Sequence, residues 1–307
     1  MKETNVLVKV LLIVGLIFTF LGGTIFVVAM TANKWDFSVL ATHVIEKNVV
    51  EITDKEEIDS ITSVKVEFNT ADVNVVYHDE DKITVEGYNR IKRNGKVIDK
   101  LIVKVENGVL NIGLERIISS YLEMGTVGRR KVTVKLPKGM LEDLSVKVST
   151  GDVCIGEDGK DIAFKNVTIT TSTGDVIVNG NANVGSFSIN NSTGDSYING
   201  NLTANSFTRT ANTGDLIINA KIDAQTISVT NTTGDVICNT HITANVINIK
   251  TSTGDVTLKL LGTMAEYNYS YKISTGKSNI PAVVSPNATK SVSVTCSTGD
   301  SNIYFEK

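Results

Sequence analysis

The sequence predicts an all-β chain, a single-stranded β-solenoid of about ten coils preceded by one N-terminal transmembrane helix. Three observations predict it. A Thr-Gly-Asp turn recurs at a nearly fixed interval, apolar residues alternate on both sides of each copy, and one long uncharged run stands near the start of the chain. A period near twenty residues is the mark of stacked coils, in which each unit buries its apolar side only against its neighbours.

The uncharged run comes first. Val10 to Met30 is 21 residues without a charge, between Lys9 and Lys34, which is long enough to cross a bilayer. Ala29-Met30-Thr31-Ala32 lacks a clear small-x-small exit, so the reading is an uncleaved signal anchor rather than a removed signal peptide. Lys2 and Lys9 keep residues 1–9 in the cytoplasm and place the rest of the chain outside, in the cell envelope. Residues 31–57 are a juxtamembrane linker with a first strand. Trp35 and Phe37 either sit at the membrane interface or pack on that strand.

Residues 58–143 read as irregular coils. Val64, Val66 and Phe68 precede Thr70-Ala71-Asp72, and Val73 and Val75 follow it, so Ala71 stands where later copies have glycine. Around Gly108 the same offsets hold Leu101, Val103, Val105, Leu110 and Ile112. Ile83–Tyr88 and Val132–Leu136 are expected on a third face, with 89–99 and 115–130 as excursions from the stack. The first excursion turns at Asn94-Gly95, and residues 115–124 suit a short helix sealing the end. Their bases, Arg90, Lys92, Arg93, Lys96 and Arg129-Arg130-Lys131, are a solvated charged surface or a contact for anionic lipid or wall polymer.

Residues 144–307 carry the regular repeat. Its glycines are 151, 174, 194, 214, 234, 254, 276 and 299, and all but Gly276, which precedes Lys277, are followed by aspartate. Seven residues before each glycine stand Leu144, Val167, Phe187, Phe207, Ile227, Ile247, Tyr269 and Val292. Five before, the column is apolar except for Arg209. Four after come Ile155, Val178, Ile198, Ile218, Cys238, Leu258, Ile280 and Ile303, and eight after come Ala182, Leu202, Ile222 and Ile242. Alternation of this kind marks strands with one buried side. Three such segments per period describe a triangular coil. The glycine supplies a positive φ at the corner, while Thr and Asp bond the turn's own amides. Asn179, Asn199, Asn219 and Asn239 fall into a stacked amide ladder at the next corner.

The segments Thr70-Ala71-Asp72-Val73-Asn74-Val75, Asn107 to Ile112 and Val132 to Pro137, followed by the Ser-Thr-Gly-Asp-Val coils, resemble the bacterial "putative adhesin" family of β-strand-repeat domains of unknown function. The resemblance covers about residues 58–307. It implies the repeat architecture and a preceding membrane segment, and it leaves the activity open.

The inventory for chemistry is short. His43, His78 and His241 have no metal-spaced partners, the three cysteines match no redox or zinc spacing, and no nucleophile elbow or phosphate loop occurs. No catalytic residue and no cofactor is expected. Cys238 takes an inward position as a small core residue. A net charge of −3 gives no reason to expect nucleic acid. The sharpest site candidate is a row of Asp152, Asp175, Asp195, Asp215, Asp235 and Asp255. Stacked about 5 Å apart, these carboxylates repel by about 1 kcal/mol per pair in water, and either turn capping or a bound cation must offset that. Lys277 interrupts the row. The expected partners are the membrane through residues 10–30, an envelope polymer or protein, and another copy end to end through the C-terminal coil. The function read from this is an adhesin-like binding or display scaffold. A structural or regulatory accessory of an envelope-stress or assembly system is the alternative. Action on polysaccharide as an enzyme is opposed by coils too short to build a cleft.

Overall fold

The computed structural model describes residues 4–32, 34–35, 41–118, 126–137, 139, 141–162 and 164–306. It is mostly β, with strands linked into one continuous sheet behind an N-terminal helix, Thr4–Ala32. That helix is long and apolar enough from Val8 to Ala32 to cross a membrane. Its threonines do not spoil this, because the Thr19, Thr24 and Thr31 hydroxyls donate to carbonyls four residues back. Trp35 is half exposed, and Phe37 lies outside the described residues.

The regular unit is well represented by Ile222–Thr233 followed by Val236–Cys238. Alternation places Ile222 and Ala224, then Ile227, Val229 and Asn231, inside. Between the two sets Gln225 and Thr226 both stay out, which breaks the period of two and bends the strand. The twelve residues therefore cover two faces, here called the third face and the long face, and Val236–Cys238 makes the short face. From Phe164 to Thr253 each unit pairs in parallel with the next at a fixed offset, so like positions stack: Phe187 on Phe207, Phe207 on Ile227, Ile227 on Ile247. The interior is one cluster of aliphatic and aromatic side chains running the length of the stack, each worth about 1.5–3 kcal/mol of burial before chain entropy is counted. Cys238 is buried within it, as expected, and Cys296 is buried as well.

The two ends depart from sequence order in the same way. At one end Val109–Arg116 and Lys131–Pro137 lie outside Ser63–Thr70 and Asp72–His78, whose other edges carry Leu141–Thr150 and Val153–Ile155. At the other end Lys290–Thr298 inserts between Ile242–Thr253 and Tyr267–Thr275, and Ser301–Glu306 pairs with Val256–Leu261. The expected free C-terminal coil is thus an inner layer. The open edge belongs to Tyr267–Thr275, where Tyr269 also meets Val283 in a single antiparallel bridge.

The expected coil at Ala71 is present, with Ser63–Thr70 and Asp72–His78 parallel to the first regular coil, whereas His43–Ile52 and residues 83–116 add antiparallel pairing around it. His43–Ile52 runs beside Ile83–Lys92, which itself meets Glu86 to Thr84 against Thr133 to Lys135. Val97–Glu106 and Val109–Arg116 form a hairpin closed by Asn107 and Gly108, both at positive φ (53° and 77°), the preference of a two-residue Asn-Gly turn. Gly108 is therefore a hairpin tip and not a repeat corner. Val132–Leu136 lies on the short face rather than the third, and Ile83–Tyr88 runs against the coil direction. Of the helix expected over 115–124, Glu115 and Arg116 are strand and 119–124 lie outside the described residues. The hairpin at Asn94-Gly95 is present, with Gly95 at φ 82° and its amide on the Lys92 carbonyl.

Candidate functional site

The corner after the long face is the feature the repeat preserves. Its glycines all hold φ between 130° and 140°, a region closed to side chains. The aspartate that follows every one but Gly276 bonds the next coil. Asp152 Oδ1 accepts from the Asp175 amide at 2.8 Å, Asp175 from Asp195, Asp195 from Asp215 and Asp215 from Asp235, each at 2.8 Å, and Asp235 from Asp255 at 2.7 Å. The ladder begins one step earlier, at Asp72, and ends beyond Asp300, whose Oδ1 takes the Lys277 amide at 2.8 Å. Lys277 does not interrupt the row. It ends it, because the coil of Gly276 is outermost and no further amide waits for a carboxylate there.

The six aspartates singled out in the sequence are therefore brought together, and each gives one oxygen to a backbone amide. A charge-assisted bond of this kind offsets the repulsion of neighbouring carboxylates. Among the described residues no three His, Cys, Asp or Glu side chains converge where a metal ion could be held. The amide ladder also forms. Asn199, Asn219 and Asn239 donate Nδ2 to the preceding Oδ1 at 2.9, 2.8 and 2.7 Å, and Asn179 reaches Cys154 Sγ at its foot.

A third set, not foreseen, caps the corner from inside. Three residues before the glycine, Asn191 Nδ2 donates to the Gly174 and Gly194 carbonyls, Thr251 Oγ1 to Gly234, and Cys296 Sγ to Gly254. In the coil of Gly214 that place is Ala211, which has nothing to donate. Arg209 adds its donors there from the inward apolar column, beside Asn231 of the following coil, whose Nδ2 reaches the Gly214 carbonyl at 3.5 Å. Its Nη2 donates to the Gly214 and Asp215 carbonyls at 3.1 Å, its Nε to Ser196 Oγ, and its Nη1 to Asn231 Oδ1. Arg209 is fully buried, and burial lowers its pKa to about 10, partly opposed by Asp195 and Asp215. Ser196 stands where most coils have Val or Leu, which leaves room for the guanidinium. The signal was legible, since one base in an apolar column requires inward acceptors.

A cavity of about 750 Å³ opens at the capped end. It exists because pairing of Ser63–Thr70 with Val109–Arg116 stops at Glu67 and Gly113. Phe68, Ile112 and Leu114 line its apolar side, and five basic against three acidic side chains line the rest. Arg90, expected on a charged exterior, is buried against Asp99 instead (Nε to Oδ2 2.6 Å), and Arg116 reaches the other oxygen at 3.3 Å. Tyr88 donates to the Thr70 carbonyl at 2.7 Å, and burial pushes its phenol up to about 12.

None of the three cysteines is prepared as a nucleophile. Burial raises the Cys154 and Cys296 thiols and takes Cys238 up to about 12, the opposite of what a reactive thiolate needs. The histidines stay apart: His43 is buried beside the Thr42 hydroxyl, His78 closes the strand Asp72–His78, and His241 lies 3.7 Å from Glu306.

An apolar helix followed by a stack of self-capped turns defines a β-repeat, solenoid-like protein. The chain belongs to the Toastrack DUF4097 family, a domain of unknown function matched over residues 61–304. Among solved structures it is similar to a "putative adhesin" from Parabacteroides distasonis, 13% identical over 84% of this chain and 96% of that one, with a TM-score of 0.52. A "putative adhesin" from Bacteroides fragilis is 16% identical over 85% and 97% (TM-score 0.47). A "putative lipid binding protein" from Parabacteroides distasonis is 15% identical over 86% and 97% (TM-score 0.48). At such identities the likeness concerns the fold alone. Comparison with curated proteins gives no match.

Proposed function

We propose that the chain is a membrane-anchored, extracytoplasmic scaffold of the cell envelope, an adhesin-like binding or display rod of about ten coils with residues 1–9 in the cytoplasm. One observation carries this reading. The recurring polar groups that look most like a site, the Asp and Asn columns, are bonded from coil to coil, so the repeat spends its chemistry on holding a regular surface. What it presents outward on the long face is a column of small polar side chains, Asn190, Thr210 and Thr230, stacked in register. An extended array of this kind suits an envelope polymer or protein better than a turnover reaction.

The test uses the full chain in detergent micelles, applied to cell-envelope preparations. Retention is expected, with loss on replacing Asn190, Thr210 and Thr230 by Ala; a wild-type chain that passes through unretained removes the reading. Protease added to intact cells is expected to digest residues 41–306 and leave the helix in the membrane.

The alternative, an accessory that docks a membrane partner, is favoured by the cavity at the capped end, next in sequence to the helix. It predicts crosslinks from residues 1–60 to a membrane protein and no ligand for the repeats.

A further inference from the structure

Each short-face strand turns its first and third side chains inward and its middle one outward. In successive coils the outward residues are Cys154, Ile177, Tyr197, Ile217, Ile237 and Thr257, stacked in register. All six are half-buried, so one side of each faces solvent. The outward positions of the long face in the same coils carry Thr, Ser and Asn, with Lys147 and Lys250 in the first and last of them. The apolar row is thus particular to the short face. The aspartate column runs two residues before it and the asparagine ladder two residues after it, giving three parallel rows: carboxylate, aliphatic or aromatic, amide.

The flanking rows keep unused capacity. Each aspartate commits Oδ1 to the ladder; Tyr197 donates its hydroxyl to Asp195 Oδ2 at 3.1 Å, while Oδ2 of Asp175, Asp215 and Asp235 accepts nothing among the described residues. Asn199, Asn219 and Asn239 are exposed.

Spacing decides what fits. Parallel strands stack at about 4.8 Å, so the row from Ile177 to Ile237 extends about 14 Å. An extended peptide presents same-side groups about every 6.6–7 Å and falls out of step by the second coil. An extended glycan advances one sugar ring over nearly the coil spacing and has the matching chemistry. Its C–H face covers the Ile and Tyr side chains, one edge donates hydroxyls to free Oδ2 atoms, and the other meets the amides. The carboxylate row repels polymers bearing phosphate or carboxylate. We infer that the short face from Asp175 to Asn239 binds a neutral, extended glycan lying along the stack with one ring per coil. This inference rests on the scaffold reading and names its ligand class.

The test is isothermal titration of the full chain in detergent micelles with the β-1,4-linked hexamers of N-acetylglucosamine and of glucose. The N-acetylglucosamine dimer and polygalacturonate serve as comparisons. At least one neutral hexamer is expected to bind about tenfold or more tightly than the dimer, because contacts on successive coils add, and polygalacturonate is expected to give no heat. The variant Ile177→Thr/Ile217→Thr/Ile237→Thr puts into the row the residue already present at Thr257, so it keeps the fold, checked by circular dichroism. It should lose hexamer binding by about tenfold or more. Failure of both hexamers to bind, equal binding by the variant, dimer binding as tight as hexamer, or displacement by an extended peptide would each overturn the inference. The two readings fail separately: a wild type retained by envelope preparations that binds neither hexamer removes the glycan row alone, whereas an unretained wild type removes the scaffold itself.

Discussion

At Gly214 two separate demands meet. Its φ is 130°, and a Cβ built there would lie 2.0 Å from the Gly194 carbonyl oxygen. The sequence pointed to the first through the tight corner; the second needs the neighbouring coil and could not be read from spacing. Gly214→Ala is therefore expected to lower stability by more than the roughly 1–2 kcal/mol of left-handed strain alone, checked by thermal unfolding of the full chain. The aspartate beside it makes a finer prediction. Asp215→Ala removes the acceptor of the Asp235 amide and should cost about 1 kcal/mol, while Asp215→Asn keeps an oxygen in place and should cost little. An Asn variant as damaged as the Ala variant would show that charge, not acceptance, holds the corner. Arg209 tests the same corner from within. Arg209→Val should destabilise by about 1–3 kcal/mol because the Gly214 and Asp215 carbonyls lose their charged donor, keeping only Asn231 Nδ2 and the Ser196 amide. Adding Ala211→Asn and Ser196→Val rebuilds the arrangement at Val229 and Asn231 and should recover most of the loss. The pH dependence has a definite sign. Folding lowers this group from its ordinary value to about 10, so above pH 10, while the unfolded guanidinium is still charged, the unfolded chain binds the extra proton and stability rises with pH. Tyr88, raised to about 12, acts oppositely. The rise is thus seen as the difference between wild type and Arg209→Val, measured from pH 10 upward.

The elements divide into those whose order in space follows the chain and those whose order does not. Five successive corners from Gly174 to Gly254 are consecutive both ways, and there alternation and period were enough to place the columns seven and five residues before the glycine and four and eight after it, but not the inward Asn191, Asn231 and Thr251. The exchanged ends were not legible. A strand's apolar column is the same whether its partner is the next copy or the one after, and nothing in Val292, Val294 and Ile303 says that they will lie beneath Tyr269. Asn107-Gly108 was legible and was passed over, since the offsets of Leu101 to Ile112 fit a repeat corner and a hairpin equally, and only the asparagine at positive φ separates them. The exchange has a consequence for local stability. Lys290–Thr298 is paired on both edges, whereas Tyr267–Thr275 is paired along one edge with a single bridge on the other. Hydrogen exchange is expected to be slow for the amides of Val292 to Cys296 and fast for Tyr271 and Ile273, against the usual fraying from a chain terminus. Removing residues 290–307 should accordingly release 267–280 as well, a cooperative loss visible as exchange of the whole end.

For the molecule as a whole the question is why a stack of parallel coils stops growing. A solenoid end presents unpaired amides and carbonyls, the template on which another chain adds. The end following the helix is covered by antiparallel strands, so the open edge at Tyr271 to Lys277 is where association has to be prevented. Three features blunt it. Lys272 and Lys277 put like charges at any symmetric contact, and Pro281 and Pro286 withhold two donors from the segment that follows. The aspartate ladder also terminates there: Lys277 takes its bond from Asp300 and offers no oxygen to a further coil. Exposed Tyr271 and Val284 remain as apolar area that could be covered once the charges are gone. The full chain in detergent micelles is expected to sediment as a monomer. Lys272→Thr/Lys277→Asp restores at this edge the residue types found at inner corners, and it is expected to move the chain to dimers by sedimentation velocity. A wild-type chain already dimeric through this edge, shown by crosslinks between Tyr271 of two copies, would mean that the lysines do not act as a stop. A double variant that stays monomeric would assign the stop to the prolines and the covering segment instead.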